Sequence, residues 1–156
     1  MAYKRYLLID QFLYEHKKEI IDGWFTFYYT KTQEYRLHSN FDEFSENLKV
    51  EVTYLFKKSL AHTFKSKEMN QEHHHFGENR AAISTSLEDL STMTFSMEAY
   101  IGQFLSNELE KGTLVISYQD LFNYSVRIRV YFTAAFQSIL AGYMSYLVGH
   151  MNEIMG

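Results

Sequence analysis

The chain has no cysteine and no proline, and only seven of its 156 residues are glycine. Without cysteine there is no disulfide, no thiol nucleophile and no thiolate metal ligand, which is compatible with a cytoplasmic location. Without proline, and with so little glycine, a sheet-rich domain lacks the residues of its frequent turns. Charge of either sign is also modest. The formal net charge is −4, acidic and basic residues are interspersed, and no basic stripe marks a nucleic-acid surface. The first residues carry Lys4 and Arg5 but no long apolar core and no small-residue cleavage site, so they do not read as a signal peptide. There is no GxSxG, no HExxH, no glycine-rich phosphate loop and no evident acidic pair. The expectation is a protein that is not an enzyme.

What the chain does have is rings. Aromatics make up 17% and hydrophobic residues 46% of the sequence. That content suits a folded chain, read as one domain over residues 1–156. Many rings in a helical protein make a thick core or line a cavity for a long apolar ligand.

The last forty residues organise the rest. Ser117 followed by Asp120 resembles a capping box with Asp in place of Glu, and the run to Met155 reads as one long helix. One stripe along it is Leu121, Ser125, Ile128, Phe132, Ala135, Ser138, Gly142, Ser145 and Gly149. A bulkier one is Phe122, Val126, Arg129, Thr133, Phe136, Leu140, Tyr143 and Leu147. The small half of the first stripe, Ala135, Ser138, Gly142, Ser145 and Gly149, suits close helix contact and is expected to form a dimer interface. The second is expected to wall the core. Val130 to Gly149 carries no charge and is just long enough to span a bilayer. Its three tyrosines, polar residues and amphipathic pattern favour a buried helix of a soluble protein instead.

Upstream, residues 3–31 read as helical, with a change of direction near Asp10 or Glu15. Phe12, His16, Ile20, Trp24 and Phe27 share one face. Residues 32–40 read as a connection, and Asn40 as the cap of a helix over 41–64. Its stripe is Phe41, Phe44, Leu48, Val52, Leu55 and His62. Residues 65–80 are polar and read as the most loop-like part of the chain, with room for a short helix. A further helix spans 81–110, split near Ser84–Ser86 and ended by Gly112.

Three features carry chemistry. His73-His74-His75 reads as a solvated loop, because adjacent imidazoles point in different directions; metal binding and pH sensing compete with that reading. Arg129 sits on an apolar stripe and needs a partner. That partner is an acid on a neighbouring helix or the head group of an anionic ligand. Arg127 is expected in solvent. The expected ligand pocket has Arg129 and His62 at the head group. Its walls are Leu55, Phe56, Met97, Ile101, Phe104, Phe136, Leu140 and Tyr143.

The opening Phe12-Leu13-Tyr14-Glu15-His16-Lys17-Lys18-Glu19-Ile20-Ile21-Asp22-Gly23-Trp24 resembles the start of the non-haem globin sensor domains. These include stressosome sensor N-terminal domains and the sensor domains of sporulation histidine kinases. The resemblance implies an all-α, globin-like helical bundle with a long C-terminal helix, a homodimer and an internal fatty-acid pocket with a halide ion such as chloride nearby. It also implies a signalling role without chemistry. Because the chain stops at Gly156, it looks like a stand-alone sporulation-inhibitory sensor, which would compete with a histidine kinase for signal or partner; whether it is instead an excised sensor domain is left open. A haem-based globin-coupled sensor and a ligand-free helical adaptor are the alternatives. Haem is not expected, since the helix over 81–110 has no histidine to serve as the proximal ligand.

Overall fold

The computed structural model describes residues 2–40 and 42–155. All regular structure among them is helical, as the shortage of turn residues predicts. The helices are α1 (Ala2–Glu15), α2 (Lys17–Phe27), α3 (Gln33–His38), α4 (Asp42–Ala61), α5 (Asn70–Ala82), α6 (Leu87–Lys111) and α7 (Tyr118–Met155). Short 3₁₀ turns occur at Tyr29–Lys31 and Lys67–Met69. Phe41, placed above on the α4 stripe, lies outside the described residues. Among those described, no helix is long and apolar enough to cross a membrane.

Helix ends follow local chemistry where a cap is present. Ser86 accepts the N–H of Asp89 at 3.0 Å, and Ser117 accepts that of Asp120 at 3.0 Å, which satisfies donors that the first turn leaves free. Gly112 ends α6 at φ +82°, its N–H directed at the Glu108 and Leu109 carbonyls. The helical stretch expected over 3–31 breaks at His16, beside Glu15, where a change of direction was expected, and α2 ends at Phe27.

Two elements go beyond what was expected. α3 occupies the segment read as a connection. Thr32 caps it locally, accepting from Tyr35 N–H at 3.2 Å. The carboxylate of Asp89, from α6, accepts the N–H groups of Gln33 at 3.3 Å and Glu34 at 2.8 Å. A cap supplied from so far along the chain leaves no local signature. α5 replaces most of the polar loop expected over 65–80. Its His73, Phe76, Gly77, Arg80 and Ala81 are buried, at spacings that fall on one helical face.

α5 lies directly on α7. A Cβ on Gly77 would fall 1.9 Å from the Ile139 carbonyl oxygen, and one on Gly142 would fall 1.9 Å from that of His74. The two glycines therefore let the backbones meet. This corrects the expected dimer face: Gly142 and Ala135 are buried inside the chain, and Ser138 bonds Asn70 of α5 at 3.1 Å. Ser145 and Gly149 are exposed. The bulky stripe is corrected too. Phe122, Val126 and Arg129 face outward, and the buried side of α7 runs through Tyr124, Ile128, Tyr131, Phe132, Ala135, Ile139 and Tyr143.

A buried polar network ties the elements around α3. The Glu34 carboxylate accepts from Tyr29, from Thr85 and from Arg80 Nη1, the last at 3.0 Å. Arg80 Nη2 reaches Glu51 at 3.3 Å. Tyr143 donates to the Thr85 carbonyl at 2.6 Å. A carboxylate and a guanidinium are tolerated in a core only when paired and bonded in this way.

Candidate ligand cavity

Between α2, α4, α5, α6 and α7 the core leaves a cavity of about 80 Å³. Its wall is almost wholly apolar. Trp24 closes one side, with its indole N–H donated to Ser96 Oγ at 2.9 Å. Val52, Leu55 and Phe56 come from α4, Met93 and Met97 from α6, and Phe132, Ala135 and Ile139 from α7. Phe64 completes the wall from the turn after α4. That turn is in the left-handed region at Thr63 (φ +51°) and Phe64 (φ +57°). Such backbone needs outside support in non-glycine residues. Arg127 supplies it, donating to the Thr63 carbonyl from Nε at 3.0 Å. Arg127 is thus a structural clamp and not the solvated charge expected.

One corner of the cavity is polar. Ser59, Tyr131 and His73 all line it. Ser59 Oγ donates to the Leu55 carbonyl at 2.7 Å and is bonded to the Tyr131 hydroxyl, which lies 3.2 Å from His73 Nε2. His73 is only 5% exposed, and its Nδ1 has no hydrogen-bond partner. Burial pushes the imidazole down to about 4, and burial pushes the Tyr131 hydroxyl up. Both are therefore neutral near pH 7.

The expected pocket residues divide. Leu55, Phe56 and Met97 line the cavity. Ile101 and Phe104 are buried elsewhere, the Phe104 ring 6.1 Å from Phe12 and 5.6 Å from His16. Phe136 packs on Phe95 at 5.1 Å, Leu140 is half-buried, and Tyr143 belongs to the Glu34 network. His62 is half-buried and is not on the cavity wall. Arg129 is corrected most sharply. Its side chain is 77% exposed and pairs with Glu98 at 3.4 Å across an outer groove between α6 and α7. It does not reach the cavity.

The polar corner instead comes from residues that the sequence reading left aside. His73 was placed in a loop, although its spacing to Phe76 and Arg80 is helical. Ser59 and Tyr131 carried no local signal as a pair, because they are far apart in the chain. Among the described residues no cluster of His, Asp and Glu is arranged to hold a metal ion.

The helix that precedes the final long pair is α5, and it carries His73 beside the cavity. A histidine is therefore in place, but the space is not. A cavity of about 150 Å³ holds one benzene, so about 80 Å³ does not admit a porphyrin in this packing. No family model, no curated protein and no solved structure matches this chain.

Proposed function

We propose that the chain is a non-enzymatic sensory module that takes an apolar ligand into its core and acts by protein contact. The cavity beside His73 carries the reading. A core that served packing alone would gain by closing on such a space, because void-lining atoms lose dispersion contacts. It would also gain by pairing the Nδ1 atom that this core leaves unpaired. α5 lines the cavity with His73 and Phe76, and α7 with Tyr131, Phe132, Ala135 and Ile139, so a guest presses on the helices whose backbones meet at Gly77 and Gly142. The resemblance of residues 12–24 supplies the context: a globin-like sensor in a sporulation histidine-kinase pathway, acting by contact or by signal titration. Homodimerisation belongs to this reading, with the outer side of α7 as its surface.

A fatty acid is the guest that the resemblance implies. Burying a chain of about sixteen carbons would gain roughly 0.8 kcal/mol per CH₂, but this cavity holds a much smaller molecule, so the core would have to open. Mass spectrometry of material extracted from the purified protein tests the reading. A stoichiometric apolar compound supports it. Haem absorbance favours the gas-sensor alternative, and an empty protein that binds no apolar probe leaves a helical adaptor.

A further inference from the structure

We infer that the cavity selects a small, neutral hydrogen-bond donor, of the phenol or compact alcohol class, and binds its O–H at His73 Nδ1. This rests on the ligand-binding reading above and adds the chemistry of the guest.

The direction of one hydrogen-bond chain sets the state of Nδ1. It begins at the Leu55 carbonyl, which only accepts. Ser59 has one hydroxyl proton and gives it to that carbonyl at 2.7 Å. In its bond with Tyr131, Ser59 Oγ is therefore the acceptor, and the Tyr131 proton is used. The Tyr131 oxygen is left to accept from His73 Nε2, 3.2 Å away. A neutral imidazole has a single N–H. With that proton on Nε2, Nδ1 is a bare lone pair, buried and without a partner.

A bare lone pair beside an apolar cavity discriminates among guests. A carboxylate or any other pure acceptor would set lone pair against lone pair. An ammonium would donate, but the remaining wall offers it rings and aliphatic groups, which leaves its charge uncompensated. A neutral O–H satisfies Nδ1 and leaves the rest of the molecule to the apolar wall. Burial reinforces this, because an imidazolium that would welcome an anion forms only near pH 4. Size points the same way. Since about 150 Å³ suits benzene, a single-ring guest needs some give here. Met93 and Met97 line the cavity, and unbranched thioethers repack readily.

The test compares three probes of nearly equal size by calorimetry on the whole chain: phenol, toluene and fluorobenzene. Phenol should bind roughly tenfold more tightly than the other two, as one bond to a buried acceptor implies. His73→Phe should bring phenol to the level of toluene. Equal affinity of the three for the unaltered chain overturns the inference and leaves the ligand-binding reading intact. A phenol preference that survives in His73→Phe overturns it as well. No binding by any probe removes both. Nitrogen NMR of the ring gives a result that does not need the variant to fold. The free protein should show an unprotonated Nδ1 whose resonance moves on adding phenol, and a protonated Nδ1 in the free protein contradicts the proposal.

Discussion

α5 and α7 lie against each other and invert what their compositions suggest. α5 is polar, with Asn70, Gln71, Glu72, three histidines, Glu78 and Asn79, yet its inner face is fully used. His73, Phe76, Gly77 and Arg80 are buried, and His74 and Glu78 pair with each other at 2.9 Å nearer the surface. α7 is apolar for most of its length, yet one side of it is open. Tyr118, Phe122, Val126 and Val130 are exposed at its N-terminal end, and Met144, Val148 and Met151 at the other. The contrast teaches that spacing, not mean hydropathy, decides which face is buried. A short polar helix with a histidine, a phenylalanine, a glycine and a paired arginine at i, i+3, i+4 and i+7 has a complete inner face.

Substitutions can break this contrast, and the largest effect is expected where the backbones touch. Gly142→Leu places its first carbon 1.9 Å from the His74 carbonyl, a clash that no rotamer relieves. The loss should exceed about 3 kcal/mol, at the upper end of overpacking costs. Denaturant titration should give the same loss at every protein concentration, because the contact lies within the chain. A loss that appears only on dilution would restore a dimer face.

Glu34→Ala comes next. It removes the acceptor of Tyr29 and Thr85, leaves Arg80 with Glu51 alone, and should cost about 2–3 kcal/mol by chemical denaturation. A loss below about 1 kcal/mol would mean that the α3 network carries little of the fold.

The third expectation concerns pH. Burial lowers His73 to about 4 from an ordinary 6.5. Between those values the unfolded chain binds more protons than the folded one. Stability due to this group is therefore complete above about pH 6.5 and is lost as pH falls toward 4. The span is on the order of 3 kcal/mol. Asp10, which burial raises from 3.8, acts in the opposite sense. Comparison with His73→Phe isolates the histidine: the variant should lose most of the acid-side slope, and an unchanged slope would contradict a buried neutral imidazole.

Arg129→Met should do least. Its pair with Glu98 is exposed on the arginine side, and such pairs are worth under about 1 kcal/mol. Thermal melting should move little, and binding of an apolar probe should not change. A strong loss of binding would return Arg129 to the site.

How much of this was legible follows from the range of each interaction. The helices whose caps lie within three residues, α6 at Ser86 and α7 at Ser117, were readable from local sequence. So were Leu55, Phe56 and Met97 as core residues. α3 was not, although Thr32 caps it within three residues, because it has only six residues and Asp89 holds it from a distant helix. α5 was misread because attention fell on the histidine triplet as a motif instead of on the helical spacing of His73, Phe76, Gly77 and Arg80. Arg129 was misplaced because two adjacent stripes on α7 do not say which of them faces inward. Gly142 was rightly read as a point of close approach, but the sequence does not name the helix that approaches.

The central claim is that the core beside His73 is a receptive cavity. A crystal structure under xenon pressure tests it most directly, since xenon enters apolar cavities without needing a hydrogen bond. The account predicts one xenon atom between Trp24, Met97 and Phe132, with the helices unmoved. A core that takes up no xenon, with these side chains closed on one another, would contradict it.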